Sequence, residues 1–232
     1  MNITEEKVKL IGVVFRKDMK TYYLPKPHFP VRLFDKVIVE TNGDLKIATV
    51  RRPLVELDVK RWDIIRSRDI IGHVLRKADE KDLSYLEKLE RKEKDAFKIC
   101  RKKIKEHNLP MHLVETEWDE KEKKFIFYFT ADSRVDFREL VKDLVKTFNC
   151  KIQLWQVGAR DAMKFFGGYG PCGQPLCCTN FLRQMESVEL SFARMQNLPM
   201  NTAKITGACG KLVCCLRYEL NLNKGEENEQ NN

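Results

Sequence analysis

Two segments of this sequence repeat the pattern G-x-C-G-x-x-x-C-C without a gap, and no other feature constrains the fold as strongly. They are Gly170–Cys178 and Gly207–Cys215. An internal repeat of a rare residue type indicates two copies of one structural unit. Glycines on both sides of the first cysteine allow the backbone angles with which a loop wraps a bulky centre. The repeat therefore predicts two similar loops that face each other.

The cysteines of the repeat are candidate ligands of an inorganic centre. The chain has no recognisable signal peptide and no apolar run of about 18 residues, so we expect a soluble cytoplasmic protein. In reducing cytosol, concentrated cysteines serve metal binding or redox chemistry more often than disulfides. Four thiolates complete a four-iron four-sulfur cluster or a structural zinc site, and the lack of C-x-x-C pairs favours iron-sulfur over zinc. The candidates for cofactor and metal binding are Cys172, Cys177, Cys178, Cys209, Cys214 and Cys215.

Two details of the cysteines can be tested by the structure. In an extended strand, neighbouring side chains point to opposite faces, so we expect each vicinal pair, Cys177-Cys178 and Cys214-Cys215, to be split. Cys100 and Cys150 lie outside the repeat. Free cysteine behaves as a small buried hydrophobe, and we expect Cys100 to pack in a core.

The N-terminal part of the chain is predicted to form β structure. Short apolar runs, such as Ile11–Phe15, Val37–Val39 and Ile47–Val50, are separated by turn signals. Asn42-Gly43 lies between two of these runs, and this dipeptide favours a tight hairpin turn. We predict a small β-barrel or a curled sheet.

The middle of the chain combines a long helix with an α/β unit. Apolar residues recur at helical spacing from Asp79 to His107. Strands are predicted near 112–117, 125–130 and 151–157, with a helix capped by Ser133 before the third strand. The fold class is therefore α+β, ending in a cysteine-rich loop module. The predicted domains are 1–75 (β domain), 76–158 (long helix and two-layer strand-strand-helix-strand unit), 159–218 (cluster-binding module) and 219–232 (disordered acidic tail).

A basic surface is the main alternative explanation of the module. The net charge is +9, and aromatic rings beside cations can stack bases while the charges bind phosphates. A zinc-stabilised RNA-binding protein would use such residues, although positive charge also suits an anionic thiolate cluster. A redox-active thiol protein is a third possibility. The candidate nucleic-acid or partner contacts are Arg160, Lys164, Phe165, Tyr169, Arg183, Lys211 and Arg217.

The sequence contains no pattern that indicates catalysis. The four histidines are scattered, and the glycine run 167–170 lacks the lysine of a phosphate-binding loop. No nucleophile with an adjacent base is recognisable. We therefore expect a protein that is not an enzyme.

Three stretches resemble the RicT family, also called YaaT, of low-GC bacteria. They are FYFTADSRVDFRELVKDL, QVGARDAMKFFGGYGPCGQPLCCTNFL and QNLPMNTAKITGACGKLVCCLRYEL. The resemblance implies a regulatory iron-sulfur subunit with a polymerase-suppressor-type C-terminal homology domain. It places the cluster ligands among the six cysteines of the repeat.

The resemblance also implies partners. Members of this family join two small helical subunits, RicA and RicF, in a complex that helps the endoribonuclease RNase Y process mRNA. Control of sporulation, competence and biofilm formation would follow from that role.

Overall fold

The computed structural model describes residues 7–17, 21–41, 43–58, 72–180, 182 and 187–220. The chain divides into two units, Met1–Lys88 and Leu89–Asn232, and the boundary falls inside a long helix.

The described strands of the first unit form one antiparallel sheet. In chain order they are β1 Lys7–Phe15, β2 Thr21–Pro25, β3 Lys36–Thr41, β4 Asp44–Asp58 and β5 Gly72–Lys77. Their order across the sheet is β2-β1-β4-β3-β5. The predicted hairpin is confirmed, since Thr41 pairs with Asp44 across a two-residue turn in which Gly43 has a φ of 81°. Asn42 itself lies outside the described residues.

The core of the first unit lies on one face of this sheet. It includes Ile11, Val13, Val37, Val39 and Val50, all fully buried. Alternate residues of a strand point to opposite faces, which explains the spacing of these side chains. Burial of β-branched residues on a single face stabilises the sheet.

Of the two predicted alternatives, a small β-barrel or a curled sheet, the described strands form a curled sheet that does not close into a barrel. Edge strands β2 and β5 approach each other within 8 Å between Cα atoms, but the strand pairs contain no β2–β5 ladder. Register shifts around Gly12 interrupt the β1–β4 pairing, and such irregularities bend a sheet. Pro25 ends β2, and proline cannot donate to a ladder.

The predicted long helix is confirmed as α1, Glu80–Glu106. Its start is fixed by two reciprocal hydrogen bonds. Asp82 N donates to Asp79 Oδ1 at 2.9 Å, and Asp79 N donates to Asp82 Oδ2 at 2.9 Å. This is a capping box, in which two backbone donors at the helix start are satisfied by side chains.

The second unit is built on a three-stranded sheet. Strands β6 His112–Asp119 and β7 Lys124–Thr130 are antiparallel, and β8 Lys151–Gln156 runs parallel to β7. Helix α2, Arg138–Phe148, connects β7 to β8. The fold class is therefore α+β, as predicted.

One face of this sheet forms the second core, as the sequence predicted. The core contains Phe125, Phe127 and Phe129 of β7, Leu140 and Leu144 of α2, and Cys100 of α1. Cys100 has no exposed surface, and burial raises the pKa of its thiol to about 12. Cys150 is partly buried against the same cluster.

The predicted cap of α2 is wrong. The residue before the helix is Phe137, not Ser133, and it makes no side-chain capping bond. Asp136 takes over this role from outside the helix, since its Oδ1 accepts a hydrogen bond from Arg138 N at 3.2 Å. A carboxylate near the first turn also complements the positive end of the helix.

The C-terminal part of the second unit contains short helices as well as the predicted loops. They are α3 Ala159–Phe166, α4 Cys177–Asn180, α5 Leu190–Met195 and α6 Thr202–Ile205, and residues 215–220 are also helical. Phe192, Ala193, Leu216 and Leu220 form a third small core. Of the predicted disordered tail, residues 219 and 220 are helical, and 221–232 lie outside the described residues.

Candidate metal centre

The two cysteine loops have the same backbone hydrogen bonds. Gly170 N donates to Gln174 O at 2.8 Å, and Gly207 N donates to Lys211 O at 2.8 Å. Each loop is also closed by an isolated antiparallel bridge, Tyr169 with Pro175 in the first and Thr206 with Leu212 in the second. The sequence repeat is therefore a structural repeat.

A glycine after the first cysteine is needed in both loops for its backbone conformation. Gly173 and Gly210 have φ values of 76° and 74°, a region that L side chains rarely adopt. A Cβ at either position would meet no atom within 4 Å. Conformation, and not lack of space, therefore explains glycine at these two positions.

Each loop is tied back to the chain before it. Leu176 N donates to Gly168 O at 3.1 Å, and Val213 N donates to Ile205 O at 2.9 Å. These bonds hold the vicinal cysteines next to the start of their own loop. The two halves of the repeat thus present their cysteines in the same way.

All six cysteines of the repeat line one cleft of about 280 Å³. Arg160 and Met163 of α3 and Lys204 of α6 also line it. Among the described residues, no group of three or more His, Cys, Asp or Glu side chains is already arranged to hold a metal ion. The donor chemistry of the six thiols suits a thiolate-bound centre.

The predicted split of the vicinal cysteines is wrong. Cys177 and Cys178 begin helix α4, and Cys215 begins the helical residues 215–220. In a helix, neighbouring side chains differ by about 100° and not by 180°. Both members of a pair can therefore line the same cleft.

Burial acts against ionisation of these thiols. It raises the pKa of Cys177, Cys178 and Cys215, and it raises the pKa of Cys214 to about 11. The charges of Arg160 near Cys214 and of Lys164 near Cys178 oppose this effect. Burial therefore favours the protonated form of these four thiols, and binding of a metal by any of them releases protons.

Arg160 connects the element before the first loop to the second loop. Its Nη2 donates to the Leu212 carbonyl oxygen at 2.9 Å. Its Nε is buried and makes no hydrogen bond to the described residues. Arg160 also lines a second cleft with Gly158, Ser187 and Lys211. The guanidinium therefore both positions the second loop and supplies positive charge to the cysteine cleft.

The other predicted contacts differ in their surroundings. Phe165 packs on Tyr128 of β7, with ring centroids 5.1 Å apart. The Arg217 guanidinium lies 5.1 Å from the Phe192 ring centroid. Tyr169 is 72% exposed, and Lys211 is exposed in the second loop. Lys164 pairs with Asp161 at 2.7 Å. Arg183 lies outside the described residues.

Met163 is a cleft residue that the sequence analysis missed. Its position in α3 is one helical turn after Arg160, and both side chains line the cysteine cleft. Residues three apart on a helix share a face. Helical periodicity from Arg160 was therefore the signal that could have identified it.

Comparisons with known proteins show the family of the chain. Residues 72–157 match the PSP1 C-terminal conserved region, and residues 187–227 match the third domain of PSP1-like proteins. The second sheet and the second cysteine loop thus match regions of PSP1-type proteins. The chain is 44% identical over 210 residues to stage 0 sporulation protein YaaT of Bacillus subtilis (strain 168), covering 90% of this chain and 74% of the relative. It belongs to the YaaT family, which confirms the resemblance seen in the sequence.

A second relative shares a shorter region. The uncharacterized protein PB7E8.02 of Schizosaccharomyces pombe is 36% identical over 84 residues, or 36% of this chain and 11% of the relative. No solved structure matches the chain. Among the residues that the structure describes, none of the helices combines the length and apolar character needed to cross a bilayer.

Proposed function

We propose that this chain is a non-catalytic regulatory subunit of the cytosol that binds an iron-sulfur cluster in the cysteine cleft. One observation carries the proposal: two loops with the same hydrogen bonds line a single cleft with six thiols. Core packing of free cysteines does not require such a repeat. The name of its relative YaaT, a sporulation protein, supports a regulatory role.

The residues of the cleft suit this cofactor chemically. Thiolates are the usual ligands of iron-sulfur clusters, and a bound cluster supplies a redox-active centre. Arg160 and Lys204 place positive charge at the cleft, where it offsets the charge of ionised thiols. Leu176 and Leu212 supply apolar surface that limits access of water.

The proposed ligands are drawn from both loops. Four thiolates are sufficient for a four-iron four-sulfur cluster, so two of the six thiols are in excess. A structural zinc ion needs the same number of thiolates and is the alternative occupant. The ligands are drawn from Cys172, Cys177, Cys178, Cys209, Cys214 and Cys215.

We further propose that occupancy of the cleft controls assembly with partner subunits. The family resemblance points to helical subunits of the RicA and RicF kind, and to a role of the complex in mRNA processing by RNase Y. A ligand held by both loops fixes their relative position more firmly than the Arg160–Leu212 hydrogen bond does alone. Assembly then depends on the state of the centre.

Anaerobic purification followed by analysis of iron, sulfide and zinc tests the cofactor. Cys172→Ser and Cys209→Ser should each lower the iron content and bleach the visible absorption. Cys100→Ser is the matched control, because Cys100 is buried in another core. It should keep its iron and lose only about 1 kcal/mol of stability.

The outcomes separate the alternatives. Iron retained by both cleft variants excludes Cys172 and Cys209 as ligands, and iron retained by Cys177→Ser and Cys214→Ser as well contradicts the proposed site. Zinc without iron or sulfide indicates the zinc alternative. Copurification with RicA-like and RicF-like subunits, before and after exposure to air, tests assembly, and partner binding that is independent of occupancy contradicts the proposed control.

A further inference from the structure

A tight turn in the first unit places phenylalanine where glycine is preferred. Asp35 N donates to Arg32 O at 3.2 Å, which closes a four-residue turn. Phe34 occupies the third position of this turn with a φ of 67°. A positive φ at this position strongly favours glycine, and it strains a bulky side chain.

The surrounding structure holds this strained backbone in place. Phe34 N donates to Val50 O at 2.8 Å, and Val50 N donates to Asp35 O at 2.9 Å. The Asp35 carboxylate accepts a hydrogen bond from Arg32 N at 2.8 Å and forms a salt bridge with Lys77 Nζ at 2.8 Å. The turn is therefore fixed by its backbone and by Asp35, while the Phe34 side chain is 60% exposed.

Burial of the Phe34 ring does little to offset the strain, because the ring is mostly exposed. Backbone strain that the rest of a structure maintains is concentrated at functional positions. Leu33, the preceding residue, is also exposed. The Phe34 ring is therefore a candidate for contact with a ligand.

One cation lies beside the ring, and a second lies on the same face of the sheet. The Arg51 guanidinium carbon lies 5.6 Å from the Phe34 ring centroid. Ala48 and Val50 of β4 are buried. Thr49 and Arg51 alternate with them along the strand and therefore lie on its outer face. Lys36 Nζ donates to Thr49 Oγ1 at 2.8 Å, which places a second cation on this face. We name the patch formed by Arg32, Leu33, Phe34, Lys36 and Arg51 the Phe34 patch.

We propose that the Phe34 patch binds single-stranded RNA, with a base stacked on the Phe34 ring and phosphates near Arg51 and Lys36. Stacking platforms flanked by cations are typical of single-strand binding. An apolar protein surface fits less well, because it would remove water from these cations without pairing them. RNA is favoured over DNA because its unpaired bases are the usual targets of such sites. This inference is independent of the proposed cysteine centre.

The test measures binding of the full chain to a labelled oligouridine of roughly ten nucleotides. Phe34→Gly should weaken binding roughly tenfold or more. Its thermal midpoint should stay the same or rise, because glycine accepts the positive φ. Arg51→Gln should weaken binding and lower the salt slope by about 1.

Leu45→Ala is the matched control, since Leu45 is an exposed apolar residue at the other end of the β3–β4 hairpin. It should bind as the wild type does. The proposal is overturned if the wild type does not bind the oligonucleotide at physiological salt, if Phe34→Gly binds it normally, or if Phe34→Gly lowers the thermal midpoint. A Phe34→Gly variant that binds RNA normally but loses a protein partner would assign the patch to protein binding instead.

Discussion

Arg160 of α3 and the backbone of Leu212 are joined by a hydrogen bond of 2.9 Å, from Nη2 to the carbonyl oxygen. Leu212 belongs to the second cysteine loop, whereas α3 leads into the first. The bond therefore ties the two halves of the repeat together at the edge of the cysteine cleft.

Replacing Arg160 by methionine should weaken both the fold and the cleft. The change leaves the Leu212 carbonyl without its donor, at a cost of about 1 to 3 kcal/mol of unfolding free energy. It should also lower the iron retained per chain. The control is Arg138→Met, which removes an exposed cation paired with Asp136. Equal loss of stability in the two variants would contradict a special role of Arg160.

Alanine at Gly173 or Gly210 should destabilise the two loops by similar amounts. Each change should cost about 1 kcal/mol, because alanine resists the positive φ and gains no new contact. Asparagine accepts this conformation more readily, so Gly173→Asn should cost less than Gly173→Ala. Chemical denaturation compares the variants. A large difference between the two alanine variants would contradict the structural equivalence of the loops.

Glu93 should be needed for the contact between α1 and the second sheet. Its side chain is 2% exposed, and Oε1 accepts the Trp118 backbone N–H at 2.8 Å. Glu93→Ala removes the acceptor of that part-buried N–H group and should cost about 1 to 3 kcal/mol in denaturant unfolding. Asp95→Ala is the control on the same helix, because Asp95 is exposed and pairs with the exposed Lys98. Similar losses in both variants would rule out this role.

Asp82 should make the stability of the first unit depend on pH. Hydrogen bonds from the Arg76 guanidinium and then from Asp79 N lower the pKa of Asp82 to about 2. A lowered folded-state pKa stabilises the protein above the unfolded-state pKa of about 3.9, and this stabilisation is lost as the pH falls towards the folded-state value. Asp82→Asn should therefore be less stable than the wild type at pH 7 by about 1 kcal/mol.

Thermal unfolding of both proteins between neutral and acidic pH checks this dependence. The difference between wild type and Asp82→Asn should shrink as the pH is lowered from about 4 to 2. Asp136→Asn is not a suitable control, since Asp136 also has a pKa lowered to about 2 by its bond with Arg138. Asp95→Asn is suitable, and a difference for Asp82→Asn that does not change with pH would contradict the assignment.

Local patterns predicted much of the fold. The hairpin at Gly43, the long helix α1 and the burial of Cys100 follow from turn preference and apolar spacing, which act within a few residues. The cap of α2 was missed because Ser133 and Asp136 are both good capping residues, and only packing of the chain decides between them.

The site was predicted less completely than the fold. The repeat identified the cysteines, but not that Cys177 and Cys178 begin a helix, because two residues carry no periodicity. The bond between Arg160 and Leu212 joins residues far apart in the chain, and no local pattern indicates it. The positive φ of Phe34 could not be predicted from the sequence either. Turns with a positive φ usually contain glycine, and the turn Arg32–Asp35 has no glycine.

The division of the six thiols between two loops has a consequence for the chain itself. An occupant bound by Cys178 and Cys209, or by any other pair drawn from both loops, closes the intervening segment into a ring. Such a ring restricts the unfolded chain in the way that a disulfide does. Loss of the occupant opens the ring, so protease digestion should then begin between the loops before it reaches the sheet of the second unit.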